Sequence, residues 1–131
     1  MKGDLELLRG MVDLLYAKKA KNIIVLDIRG ISSLTDYMLV ADGRVERHVT
    51  ALMHALLEET KKRGSVPVRS EGSEYGEWIV VDYFSIIVHL FIPEMRERYG
   101  PERLWPGARI VDVVPATADR GGADAMVGEI S

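Results

Sequence analysis

The sequence predicts an α/β fold, a mixed β-sheet of about five strands flanked by helices. Three observations predict it. Two β-branched runs, "NIIVLDI" (22–28) and "YMLVA" (37–41), stand close together and read as strands. An apolar stripe at helical spacing follows them, from about Arg44 to Arg63. Then "EWIVVDYFSIIVHLF" (77–91) reads as a pair of strands joined by a tight turn. Elements interleaved in this way bury their apolar faces as layers, helices against a sheet.

Taken in order, the first helix carries Leu5, Leu8, Val12, Leu15 and Tyr16 at helical spacing, with Asp4 placed to cap its start. Lys18, Lys19 and Lys21 follow near its end, where cations suit the helix dipole. After the first strand, "RGISSLTD" is a loop that leads into the second. The long helix presents Val45, Val49, Leu52, Met53, Leu56 and Leu57 on one stripe, with His48 beside it. Asp42 or Gly43 is placed to cap it, and "KKR" followed by Gly64 closes it. "VPVR" (66–69) reads as a third strand, and Pro67 puts it at an edge. "SEGSEYG" is a loop before the strand pair. Pro93 opens a short helix, "PEMRERY", that Gly100 ends, and "PERLW" brings Leu104 and Trp105 back to the body. "ARIVDVVP" offers a short extended piece. The Gly/Ala-rich remainder reads as a mobile tail, so residues 1–107 are taken as the domain and 108–131 as an appendage.

Composition narrows the function classes. The chain has 131 residues, enough for one domain with a sizeable core. With 47% hydrophobic and 28% charged residues it has the balance of a soluble globular protein, and no apolar run reaches the length of a membrane span. Its zero cysteines exclude a disulfide framework and any thiolate metal or redox site, which fits a reducing cytoplasm. "MKGDLELLRG" lacks the apolar core of a signal peptide. A net charge of −3 disfavours non-specific nucleic-acid binding and suits a small polar ligand or a basic protein partner.

The strand pair is unusual on one face. Ile79, Val81, Ile86, Val88 and Leu90 make a purely aliphatic side that belongs against helices. The other side carries Trp78, Val80 and Asp82 from one strand and Ser85, Ile87, His89 and Phe91 from the next. With Tyr83 and Phe84 as a two-residue turn, Asp82 pairs with Ser85, Val80 with Ile87 and Trp78 with His89. A type I′ turn needs positive φ at both turn residues, which Phe84 resists, so a longer or strained turn with Phe84 exposed at its tip is the alternative. The face has two readings. Either helices cover both sides and Trp78 fills a gap, or this side is half open and serves as a protein interface. The aromatic content favours the interface, where Trp, Tyr and Phe act as anchors.

Catalytic chemistry finds little support. His48 and His54 lie six apart on one helix, about 600° of rotation, so they share no face. No HxxxH or HExxH spacing occurs, and structural roles are expected for both, while His89 stands evenly between a structural and a binding role. Asp27, Asp36, Asp42 and Asp82 sit at strand ends or in loops, where carboxylates catalyse but far more often simply form turns. "DGRVERH" has one glycine, too few for a phosphate cradle, and "GISSLTD" is no nucleophile elbow.

Read together, "VLDIRGISSLTDYMLVADG", "RHV", "EG" at 71–72, "GEWIVVDY", "VHLF", "RERY" and "ERLW" form an ordered set. Over residues 5–107 it resembles the ribosomal silencing factor family, also called Iojap-like or RsfS. The resemblance implies a nucleotidyltransferase-like α/β fold without catalytic machinery, hence no enzyme and no cofactor. It implies binding to the large ribosomal subunit through its fourteenth protein, steric exclusion of the small subunit, and lowered translation when nutrients run short. It also implies a cytoplasmic protein that forms homodimers off the ribosome, with no membrane and no sequence-specific nucleic acid as partner. By the same resemblance the docking surface comprises Trp78, Val80, Asp82, His89 and Phe91, extended by Glu71, Tyr83, Glu94 and Arg96. Three positions depart from the family pattern. Val45 and Glu46 stand where serines are usual, Phe84 where the hairpin turn has glycine, and Pro101 where leucine precedes "ERLW". The rival reading is a nucleotide-binding enzyme of nucleotidyltransferase ancestry. The missing Asp-x-Asp weighs against it, and calorimetry with nucleotides and Mg²⁺ separates the two.

Overall fold

Lys21–Asp27 and Tyr37–Asp42 are rich in side chains that fit a pleated, buried surface, and both form central strands of the sheet. In the computed structural model, which describes residues 2–100, 103 and 105–111, these are β1 and β2. They follow α1 (Lys2–Ala17) and precede α2 (Glu46–Lys62). Then come β3 (Arg69–Glu71), β4 (Trp78–Asp82), β5 (Ile86–Phe91), α3 (Pro93–Tyr99) and β6 (Arg109–Val111). The sheet has six strands in the order β3-β4-β5-β2-β1-β6. Only β2 and β5 run parallel, the chain passing from one to the other by way of α2, β3 and β4; the other pairings are antiparallel. The α/β class and the mixed sheet are as the sequence predicts, and β6 raises the strand number from about five to six.

α1 and α2 cover one face. Leu8, Met11, Val12 and Leu15 of α1 and Val49, Leu52, Met53 and Leu56 of α2 pack on Val25, Leu39, Ile79, Val81, Val88 and Leu90. The opposite face holds a second, smaller core of Ile24, Leu26, Ile28, Met38, Val40, Ile87 and Phe91, with Met95, Trp105 and Ile110 packed against it. β6 pairs with β1 through Val25↔Val111, so the sheet extends past the boundary drawn at residue 107. Leu104 and the stretch from residue 112 onward, including the Gly/Ala-rich tail, lie outside the described residues.

Several local expectations are corrected. Asp4 lies inside α1, and its Oδ1 accepts from Ser85 Oγ at 3.2 Å rather than capping the helix. Leu5 is exposed, since α1 turns it away from the core. The N-cap of α2 is Val45, with no side-chain cap bond, and Asp42 instead ends β2. His48 does part of the capping work: its Nδ1 accepts from the Arg44 N–H at 3.0 Å, and its Nε2 lies 2.9 Å from the Lys18 carbonyl. A carbonyl can only accept, so the ring carries its proton on Nε2 and ties the start of α2 to the end of α1. Gly64, at φ +82, closes α2 as expected. β3 begins at Arg69, three residues later than the expected strand, leaving Val66 and Val68 exposed beside the edge.

Candidate functional site

The β4–β5 hairpin sets the site. Its register is Trp78↔Phe91, Val80↔His89 and Asp82↔Ile87, displaced from the pairing of a turn at Tyr83 and Phe84. The displacement comes from the turn: Tyr83 N–H bonds to the Ile86 carbonyl at 2.8 Å, which moves the tip one residue along, to Phe84 and Ser85. Phe84 sits at its tip, 79% exposed and at φ +78, a backbone region that an L side chain enters at a cost. Asp82 Oδ1 accepts the Phe84 N–H at 2.8 Å, and Thr35 Oγ1 donates to the Phe84 carbonyl at 2.8 Å. These bonds hold the strained residue in place.

Alternation then brings Trp78, Val80, Asp82, Ile87, His89 and Phe91 to the side away from α1 and α2. Phe91 is fully buried and forms the floor. Trp78 lies over it with ring centroids 5.0 Å apart and stacks on Tyr99 of α3 at 5.6 Å and 17°. The indole Nε1 donates to His89 Nδ1 at 3.0 Å. His89 therefore acts as an acceptor within the face and spends that nitrogen on Trp78. Beside this cluster is an open depression of about 270 Å³ lined by Leu34, Met38, Trp78, Val80, His89 and Trp105 among others. Leu34 at its rim is 61% exposed. Arg69 reaches both Glu71 and Asp82 at 3.8 Å, long ion pairs on the β3 side.

The two readings of this face meet half-way. The part over β1 and β2 is core under Trp105 and Ile110, whereas Trp78, Val80, Asp82 and His89 remain half-buried. Glu71 is exposed on β3 beside them, and Glu94 is exposed on α3. Two expected members lie elsewhere. Tyr83 turns to the helical side, buried, with its hydroxyl 2.8 Å from Thr60 Oγ1 of α2. Burial pushes that hydroxyl above its ordinary pKa, and the bond to Thr60 pulls it part of the way back. Arg96 is 12% exposed and bound to Asp42 Oδ1 at 2.8 Å. The glycine of the "EG" pair also has a role here. Gly72, at φ +93, leaves no room for a Cβ, which would overlap the Trp78 carbonyl oxygen.

A second polar cluster stands at the far end of the sheet, on the helical side. Asp27 is buried and receives Arg29 through Nε and Nη2 at 2.9 and 2.7 Å. Arg109 of β6 reaches it as well, at 2.6 Å. The Arg29 hydrogen bonds hold the Asp27 carboxyl well below the usual carboxylate range, against the opposing effect of burial. Sequence reasoning placed Asp27 at a strand end and missed both partners. No group of three metal-ligating side chains occurs among the described residues.

Comparison with known proteins decides the family. A family profile described as "Ribosomal silencing factor during starvation" matches residues 2–128. The chain belongs to the ribosomal silencing factor family. The family's "Ribosomal silencing factor RsfS" of Halalkalibacterium halodurans is 33% identical over 108 residues, 82% of this chain and 92% of that protein. A mouse protein named "Mitochondrial assembly of ribosomal large subunit protein 1" is 35% identical over 98 residues, 72% of this chain and 43% of its own length. A crystal structure of a Chromobacterium violaceum protein superposes with a TM-score of 0.75 at 34% identity, covering 90% of this chain and 96% of that one. The family match runs beyond residue 107 and takes in β6.

Proposed function

We propose that this protein binds the large ribosomal subunit through the Trp78 face of its sheet and thereby keeps the small subunit from joining. The observation that carries the docking site is the half-open face itself. A tryptophan, a histidine and an acid stand there together over a buried aromatic floor, where the opposite face is closed by two helices. Membership of the silencing family supports a ribosomal partner, and the mouse relative's name speaks of the large subunit.

The partner on that subunit is its fourteenth protein, as the family resemblance implies. A net charge of −3 suits approach to a basic ribosomal protein and disfavours bare RNA. Trp78, Val80, Asp82 and His89 make the contact, with Glu71 and Glu94 at its margins; Phe91 supports them from beneath. Occupying the joining surface needs only a small wedge, so the protein acts as a cytoplasmic repressor without an enzymatic step, and it dimerises when off the ribosome. Sedimentation with isolated large subunits, small subunits and joined ribosomes tests this. Co-migration with large subunits alone, with fewer joined particles as protein is added, is the expected result. A protein that stays at the top of every gradient would overturn the reading.

A further inference from the structure

Arg96 joins three pieces of chain. Its Nη1 donates to Asp42 Oδ1 at 2.8 Å and to the Asn22 carbonyl at 2.7 Å. Asn22 Nδ2 in turn donates to Asp42 Oδ2 at 3.0 Å, so both carboxylate oxygens are bound. Asp42 ends β2 and Asn22 is the second residue of β1, which makes both of them part of the sheet. Arg96 belongs to α3, a helix of seven residues with no side-chain cap and no buried residue. A helix so short does not hold itself. It is fixed to the sheet by the Arg96 ion pair and by Met95, which packs against both cores.

Tyr99 lies three residues beyond Arg96, on a neighbouring position of the same helical surface. It stacks on Trp78. Of the rings that meet the indole among the described residues, Phe91 and His89 sit on β5 and are fixed with the strand, whereas Tyr99 depends on where α3 lies.

We propose that Arg96 is a positioning residue for the docking surface rather than a contact: by pinning α3 to Asp42 and Asn22 it holds Tyr99 on Trp78 and so fixes the pose of the indole that the partner meets. The assignment rests on the docking reading given above. The chemistry follows from the geometry. An indole whose N–H is already spent on His89 offers the partner its ring, and a ring binds well only when its pose is settled beforehand.

The experiment has two arms. The first needs no ribosome. In a Trp105→Phe background Trp78 is the sole tryptophan of the two in the chain, and its fluorescence reports its own environment. Arg96→Met keeps the side-chain stem and drops the charge, and it should red-shift the emission and lower its anisotropy. Because Asp42 would be left unpaired, the Arg96→Met/Asp42→Asn double variant, which removes both charges, is measured beside it and should show the same change with the fold retained. Unchanged Trp78 emission in both variants would overturn the proposal. The second arm is a cycle on large-subunit affinity. Arg96→Met should weaken binding about fivefold when Trp78 is present and less than about twofold in Trp78→Ala. Equal losses in both backgrounds would make Arg96 an independent contact and overturn the positioning role. If the parent protein binds no large subunit, the docking reading fails, and the fluorescence arm still decides whether Arg96 holds the indole.

Discussion

The two faces of one sheet differ in how they are finished. On the helical side α1 and α2 cover a largely aliphatic layer, in which Val25, Leu39, Ile79, Val88 and Leu90 have no exposed surface. On the other side a comparable floor exists, with Phe91 and Met38 buried, but α3 and the Trp105 segment cover only part of it. The uncovered part contains mixed chemistry, with an indole, an imidazole and a carboxylate at its surface. Burial alone rewards apolar area without regard to shape or polarity. A half-buried Trp bonded to a His is therefore poorly explained as filler. It is the arrangement expected where a partner completes the layer, large apolar contact with the polar atoms already satisfied.

The comparison is broken most directly by truncating one residue on each side. Leu90→Ala on the closed face should cost about 3 kcal/mol of stability, because the site is enclosed on all sides and cannot collapse. Urea denaturation measures it, and large-subunit affinity of the folded fraction should not change. Trp78→Ala should do the reverse. It should lose at least ~2 kcal/mol of affinity for the large subunit and less stability than Leu90→Ala. If both variants lose stability alike while affinity is untouched, the open face is ordinary core and the docking surface lies elsewhere.

A smaller effect separates the sheet's far end from both faces. The Asp27 carboxyl is held below its ordinary value by Arg29, with Arg109 contributing. A depressed native pKa means that the unfolded chain takes up the proton first as pH falls. The stabilisation is thus fully present at neutral pH, declines once pH drops below the ordinary carboxylate value of ~4, and vanishes as pH nears the native value. Asp27→Asn should be the less stable protein at pH 7, and the two denaturation midpoints should converge on acidification. Both guanidiniums stand largely in water, so the gap at pH 7 should be smaller than either effect above. Parallel curves down to pH 3 would mean that the ion cluster contributes nothing to folding. Large-subunit binding should be indifferent to this change.

These regions were not equally legible. Helical and alternating periods are local, so α1, α2 and the four longer strands could be read from the chain, as could the aliphatic and mixed sides of the hairpin. The turn was the weak point. A turn at Tyr83 and Phe84 assigns Trp78 to His89, whereas a turn one residue further on, at Phe84 and Ser85, assigns it to Phe91, which puts the aromatic floor under the indole. Tyr83 could have been placed correctly, since 79, 81 and 83 share one side by simple alternation, and that side faces the helices. The ion pairs were beyond reach: Asp42 and Arg96 are 54 residues apart and Asp27 and Arg109 are 82 apart. No local pattern reports which charge will close on which strand end.

The smallest effect concerns the tip where the two faces meet. Phe84 occupies a left-handed backbone conformation that costs an L residue about 1 kcal/mol, and its ring gains little in return at 79% exposure. Its two main-chain bonds, to Asp82 and Thr35, need no side chain at all. Phe84→Gly should therefore keep the turn, relieve the strain and lose part of that gain to the freer unfolded chain, for a net stabilisation of about 0.5 kcal/mol. Urea midpoints of the two proteins check the sign. A less stable variant would show that the ring packs on the hairpin after all. A more stable variant with weaker large-subunit binding would extend the docking face to the tip, since selection for contact then explains why a strained aromatic stands where glycine folds better.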